Sequence, residues 1–268
     1  MTRPFDPVAD SFADASELPD AIPAATLVVF RERASGPPEL LMVERAKAMA
    51  FAAGAMVFPG GRVDPADHSL ALRMGAQDDD WETAARIAAV RETIEEAGLP
   101  VGLAQTPGAE KLATMRAALH DGMPFAQALA EADATLDLSL LQPFARWRPQ
   151  HRNLRIFDTR FFLARLPDDA PVASVDATEN VRLVWATAQR VLDDADAGRL
   201  AIIFPTRRNL ERLALFGSYA EAADHARETP VRVVTPWPEE RDGATHLCIP
   251  DDLGYPVTSE PLTGAMRG

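Results

Sequence analysis

Cysteine is almost absent from this chain of 268 residues: Cys248 stands alone, so no intramolecular disulfide framework can form. That composition fits a reducing compartment, and a cytoplasmic location is expected. Long apolar runs are also missing. The stretch from Leu27 to Phe30 is far short of the ~20 residues that cross a bilayer. The opening MTRPFDPVADSFADASELPD is polar and acidic, unlike a signal or transit peptide, so no membrane association is expected. Positive charge is in deficit, with 27 Lys+Arg against 40 Asp+Glu and a net charge of −13. This argues against nucleic acid as a partner and, on charge alone, against a polyanionic substrate. No G-x-S-x-G, phosphate-loop or dinucleotide fingerprint occurs, and the five His are scattered without metal-ligand spacing.

What remains is the make-up of a folded globular chain, 47% hydrophobic and 25% charged. Residues 1–22 read as a loose arm, 23–228 as one domain, and the Pro-rich 229–268 as a C-terminal extension of strand and coil packed on it. AATLVVF (24–30) and ELLMVER (39–45) read as strands joined by Gly36-Pro37-Pro38. Pro59-Gly60-Gly61 breaks regular structure, and the Asp-rich 62–80 reads as a loop insertion. Trp81 to Ala97 reads as a helix stopped by Gly98 and Pro100, with Ile87, Val90, Ile94 and Ala97 as its core stripe. Residues 109–132 read as two short helices split at Gly122 and Pro124, inside a second insertion over about 105–135. Strands are expected over 155–166 and 181–185, and helices over 188–197 and 207–227. Mixed strand and helix order predicts an α/β or α+β fold.

The helix 81–97 carries Glu92, Glu95 and Glu96 at i, i+3 and i+4, on one face roughly opposite the core stripe. Carboxylates this close repel, by ~0.2–0.5 kcal/mol a pair. A hard divalent cation reverses that sign, because carboxylate oxygens, waters and substrate phosphates are what Mg²⁺ takes. Arg91, at i−4 from Glu95, can orient an acid while the others bind metal. A solvated acidic face is the plain alternative.

Arg91, Glu92, Glu95, Glu96, Gly98 and Leu99, with Gly61 upstream, resemble the Nudix box, G-x5-E-x7-R-E-U-x-E-E-x-G-U with U aliphatic. The pattern's first Glu falls at Asp67, Thr93 stands at an aliphatic position, and 23 residues separate Asp67 from Arg91 where the pattern has seven. An insertion of 16 residues thus divides the box; loop insertions of this kind are thermodynamically mild. Further upstream, Arg45, Ala46, Gly54, Phe58, Pro59, Gly60 and Gly61 are similar to the signature of coenzyme A diphosphatases, with Val43 and Ala50 departing from it. The divided box, GGRVDPAD and the later FDTRFFLA resemble the peroxisomal-type branch of those enzymes and its bacterial relatives. The chain ends Ala-Met-Arg-Gly without a peroxisomal S-K-L address.

The resemblance implies a Nudix-type α/β/α sandwich with a mixed sheet and inserted helices. It implies Mg²⁺ or Mn²⁺ held by Glu92 and Glu96 with help from Glu95, and Gly60 and Gly61 giving close backbone approach to helix and substrate. Catalytic roles are expected for Arg91, Glu95 and Glu96, with Glu179 as a further metal ligand or general base. The implied reaction is hydrolysis of the diphosphate in a nucleoside diphosphate linked to another group. Coenzyme A or its acyl derivatives come first, giving phosphopantetheine and adenosine 3′,5′-bisphosphate. Broader nucleotide-sugar or dinucleotide hydrolysis and a non-catalytic sensing module stay open, as does a homodimer.

Charge is unevenly placed. Between Pro143 and Arg165 lie six Arg (146, 148, 152, 155, 160 and 165) and His151 against a single acid, Asp158. Arg gives bidentate hydrogen bonds to phosphate. Arg45, Arg146, Arg152 and Arg155 are therefore candidate substrate-binding residues; the alternative is that Arg on alternate strand positions faces solvent or pairs with Asp.

Overall fold

A computed structural model describes residues 20–46, 52–149, 156–175 and 180–262. Strands β1 (Ile22–Arg31), β2 (Glu39–Arg45), β3 (Met56–Val57), β4 (Gly60–Arg62), β5 (Gln142–Trp147), β6 (Phe157–Arg165), β7 (Asn180–Ala186) and β8 (Val233–Val234) form one mixed sheet. β1 runs parallel to β6 along its whole length, while its other edge is shared by β4 near the start and β2 near the end. β2 in turn pairs with β3 and β7.

Alternation along these strands builds two cores. Ala25, Leu27 and Val29 of β1, Leu41 of β2, and Phe162 and Ala164 of β6 point to one face. Val28, Phe30, Leu40, Met42, Phe161 and Leu163 point to the other. The first face is covered by helices α1 (Pro65–Arg73), α2 (Trp81–Ala97), α3 (Ala109–His120) and α4 (Phe125–Ala132). The second is covered by α5 (Ala188–Asp196), α6 (Phe204–Leu213) and α7 (Tyr219–Glu228), with Leu247, Ile249, Leu253 and Tyr255 of the C-terminal segment. The result is an α/β/α sandwich, as expected. β9 (Trp237–Arg241), β10 (Ala244–Cys248) and β11 (Ser259–Pro261) make a small antiparallel sheet. Its first hairpin turns at Asp242-Gly243, both at positive φ, the pairing that matches strand twist.

Three expectations need correction. Pro59-Gly60-Gly61 does not end regular structure, because Gly60–Arg62 pairs with β1. Residues 62–80 are not a loop throughout, since 65–73 is helical. Asp64 is the N-cap there, Pro65 opens the first turn, and Asp67 accepts from the Asp64 amide at 2.9 Å in a capping box. The helix read over 207–227 is two helices. Ser218 caps the second by accepting from the Glu221 amide, while Glu221 accepts from the Gly217 amide at 2.7 Å, so the chain restarts there.

α2 is longer and more enclosed than a surface helix. Its predicted stripe of Ile87, Val90, Ile94 and Ala97 is 0% exposed, and so are Ala84, Ala85, Ala88 and Ala89. It lies between the sheet and the inserted helices, so small residues let backbone approach on both sides. Thr93, also 0% exposed, satisfies its hydroxyl by donating to the Ala89 carbonyl at 2.7 Å. Among the described residues, no helix is long and apolar enough to cross a membrane.

Candidate active site

The C-terminal half of α2 faces β4, and the contact requires glycine. A Cβ on Gly61 would sit 2.2 Å from Glu92 Oε1, and one on Gly60 would sit 2.3 Å from the Ala25 carbonyl. Without side chains, the strand comes close enough for the Gly60 amide to donate to Glu96 Oε2 at 3.0 Å. Asn180, the first residue of β7 and 0% exposed, donates from Nδ2 to Glu96 Oε1 at 3.0 Å. Both oxygens of Glu96 thus accept hydrogen bonds, fixing its carboxylate between β4 and β7. Arg45 lies directly across from Asn180, at the bulged end of β2.

Arg91 organises the remaining acids. Its Nη1 donates to Glu92 Oε1 at 2.9 Å and Glu95 Oε1 at 3.1 Å. Its Nη2 donates to Asp67 Oδ2 at 2.9 Å and to the Arg62 carbonyl at 2.9 Å, and its Nε reaches Asp67 Oδ1 at 3.1 Å. Asp67 is 0% exposed and comes from α1, at the head of the insertion. The 16-residue insertion that divides the motif in sequence is therefore closed in space, with α1 folding back so that Asp67 meets Arg91.

One guanidinium serves four acids within hydrogen-bond or ion-pair reach, Asp64, Asp67, Glu92 and Glu95, with Glu96 beside them. The imbalance is visible in their acidities. Burial, reinforced by Glu96 and Glu95, pushes the Glu92 carboxyl up to about 8, even against Arg91. Burial also raises Asp67 and Glu95, in each case opposed by Arg91. For Arg91, burial works against the charge, but Glu92, Asp67 and Glu95 more than offset it. The donor set, all carboxylate oxygen and in excess of its cation, fits a hard divalent ion. Among the described residues no three acid, His or Cys groups converge on a single point. Arg91 draws Glu92 and Glu95 together, and Glu96 is turned to Gly60 and Asn180.

The far end of this helix is held by the second insertion. α2 carries no basic residue in its last turn. Arg116 of α3 supplies one, donating from Nε to the Glu95 carbonyl at 2.8 Å and from Nη2 to the Glu96 carbonyl at 3.0 Å. It also holds Ser174 through the carbonyl at 2.8 Å and the hydroxyl at 2.7 Å, and His120 lies 3.1 Å from the Glu95 carbonyl. These groups satisfy helix-end carbonyls and complement the dipole.

Glu92, Glu95, Glu96, Arg91, Gly60, Gly61 and Arg45 are thus brought to one region. Glu179, Arg152 and Arg155 lie outside the described residues. Arg146 lies on β5 in a bidentate ion pair with Asp158 at 2.6–2.7 Å, the alternative named for these arginines. Asn180, Arg116 and His120 are contributors that the sequence reading missed. Asn180 could have been found as the neighbour of Glu179. Arg116 and His120 had no signal, because they act on backbone through an insertion.

A three-layer sandwich with a buried acid cluster on a helix behind a Gly-Gly strand is the frame of a hydrolytic enzyme class. No family model matches the chain. A crystal structure of a Nudix hydrolase from Alicyclobacillus acidocaldarius is 30% identical, with a TM-score of 0.66 over 76% of this chain and 96% of that one. The chain belongs to the Nudix hydrolases. It is also similar to acyl-coenzyme A diphosphatase NUDT19 of Homo sapiens, at 29% identity over 287 residues, covering 85% of this chain and 75% of the relative. The protein of that name from Xenopus laevis is 25% identical over 281 residues, covering 84% and 73%.

Proposed function

We propose that the chain hydrolyses the diphosphate of coenzyme A or an acyl-coenzyme A, with Mg²⁺ or Mn²⁺, releasing a phosphopantetheine and adenosine 3′,5′-bisphosphate. The observation that carries the chemistry is the excess of buried carboxylate around Arg91. The coenzyme A assignment is supported by the names of the relatives and by Arg45, Gly54 and Phe58-Pro59-Gly60-Gly61.

Nudix hydrolases generally use divalent metal ions. Glu92 and Glu96 would hold the ion here, with Glu95 assisting; when bound, it neutralises phosphate charge and lowers the pKa of a water. Arg91 orients Glu92 and Glu95 and opposes the burial that raises both, while Gly60 and Asn180 hold Glu96. Gly60 and Gly61 let the strand close on Glu92 and Glu96, and their backbone is proposed to approach the substrate's phosphates. Glu179 is proposed as general base because it directly precedes Asn180, which touches Glu96. Arg45 and Arg146, with Arg152 and Arg155, are proposed to meet the outer phosphates.

Val43 and Ala50, where the coenzyme A signature has Thr and Arg, favour a second reading, a broader nucleotide diphosphatase. A panel of coenzyme A, ADP-ribose, NADH and diadenosine polyphosphates with Mg²⁺ separates the two. Preferential cleavage of coenzyme A supports the first reading, and equal cleavage across the panel supports the second. No turnover of any would point to a sensing module. Activity surviving in Glu96→Gln would overturn the metal assignment.

A further inference from the structure

A cleft of about 230 Å³ opens between the N-terminus of α2 and strands β5 and β6. Arg146, Arg160, Trp81, Asp79, Asp80 and Glu82 are among its lining residues. Three of the acids in and beside it are already engaged. Asp158 pairs with Arg146, Asp80 caps α2 by accepting from the Glu82 and Thr83 amides and also accepts from the Thr83 hydroxyl at 2.7 Å, and Glu82 pairs with Arg86 at 2.9 Å. Arg160 differs: among the described residues no hydrogen bond or ion pair holds it. Burial and the neighbouring Arg146 disfavour its charge, and Asp158, Glu82 and Asp80 offset them only in part. A half-buried guanidinium without a direct partner, facing a cleft beside a second guanidinium, is placed to take an anion.

On the sheet, the cleft stands two strands from the glycine that meets Glu92. Gly61, Ala25, Arg160 and Arg146 stand at one level across β4, β1, β6 and β5. At ~4.8 Å between strands, Arg160 is ~10 Å from Gly61. Around the side, Trp81 stacks on His68 at 4.9 Å, next to Asp67, which holds Arg91. We propose that Arg160, backed by Arg146, binds a phosphate monoester on the ribose of the substrate, remote from the diphosphate that is cut. This deepens, and rests on, the reading of the site as one for a nucleotide diphosphate. Asp79, the remaining acid in the lining, opposes such a ligand.

The test uses the full chain and two probes that differ by one phosphate, adenosine 3′,5′-bisphosphate and adenosine 5′-monophosphate, with binding read by calorimetry. The wild type should prefer the bisphosphate by about tenfold or more, as expected for one charge-assisted contact. Arg160→Gln should erase that preference while leaving monophosphate binding unchanged. Arg160→Lys should keep part of it, and Asp79→Asn should enlarge it. A wild type that binds both probes equally, or an Arg160→Gln variant that still discriminates, overturns the proposal. Hydrolysis of coenzyme A and of its form lacking the 3′-phosphate is measured alongside. If discrimination is present and lost in Arg160→Gln but neither compound is hydrolysed, the cleft stands and the proposed reaction falls. If both are hydrolysed with equal KM and binding does not discriminate, the cleft alone falls.

Discussion

Two buried arginines lie on opposite sides of the sheet, and their surroundings assign them different work. Arg91, on the first face, is ringed by Asp67, Glu92 and Glu95. Arg212, 1% exposed on the second face, has no carboxylate partner among the described residues. It donates to the Phe144 carbonyl at 3.1 Å and to His225 Nε2 at 3.2 Å, and lies 4.1 Å over the Phe144 ring. Asn209, Tyr255 and Trp147 continue that polar thread through the second core, the indole donating to the Tyr255 hydroxyl at 3.0 Å. Arg212 is held by neutral acceptors and rings, so it ties elements together. Arg91 is held by more negative charge than it can cancel, so its surroundings call for another cation. Burial alone does not mark a functional arginine; the sign and excess of its neighbours do.

The largest effect should come from the acids. Glu96→Gln keeps the shape of a side chain anchored by Gly60 and Asn180 but removes its charge. It should lower kcat by roughly 10²–10⁴-fold with little change in melting temperature, the scale of losing a positioned catalytic or metal-bearing group. Near wild-type turnover would show that the acid excess around Arg91 is only structural.

Exchanging the arginines for leucine breaks the comparison directly. Arg91→Leu strands Asp67, Glu92 and Glu95 without their cation, which should destabilise the fold by about 3–5 kcal/mol and abolish turnover. Arg212→Leu should cost about 2 kcal/mol, because the Phe144 carbonyl loses its donor, while kcat per folded molecule stays within about twofold. Chemical denaturation and active-site-normalised rates check both. Equal activity loss in the two variants would remove the distinction.

Arg116→Ala tests how far the inserted α3 serves the first face. It removes the guanidinium from the Glu95 and Glu96 carbonyls of α2, leaving His120 beside Glu95, and kcat should fall by about tenfold with KM nearly constant, because the side chain holds backbone and touches no substrate. Arg116→Lys should recover part of the loss.

How much of this was visible in the sequence follows from the physics of each feature. The two long strands, α2 and its core stripe were legible because period and caps act locally. The Glu92, Glu95 and Glu96 face was legible because helix geometry fixes it. β4 was obscured by its glycines, which normally break strands and here permit contact with Glu92. α1 was obscured by its Asp content, although Asp64, Pro65 and Asp67 form a start signal. The pairing of Asp67 with Arg91 could be placed only by motif, since 23 residues separate them. Asn180, Arg116 and Arg160 have their roles from tertiary neighbours alone, and no local pattern announces such residues.

The smallest effect sharpens the comparison by pH. Glu92 is pushed up from 4.5 to about 8 by burial and its acid neighbours. On the other face, Glu211, which meets Arg208 at 2.8 Å, is pushed up to about 7 by burial. For both, the folded state holds a proton that the unfolded chain releases near its ordinary value. Stability from each is therefore present at low pH and lost as pH rises, through about 7 for Glu211 and about 8 for Glu92. Metal-free protein should melt progressively lower from pH 5 to 8. Glu211→Gln should reduce that slope only up to about pH 7, whereas Glu92→Gln should reduce it over the whole range and remove the part between 7 and 8. Added Mg²⁺ should restore only the Glu92 share, because a cation at that face stabilises the ionised acids and nothing comparable reaches Glu211. Equal restoration in the Glu92→Gln variant would show that the ion acts elsewhere, and the two faces would then differ in packing rather than in chemistry.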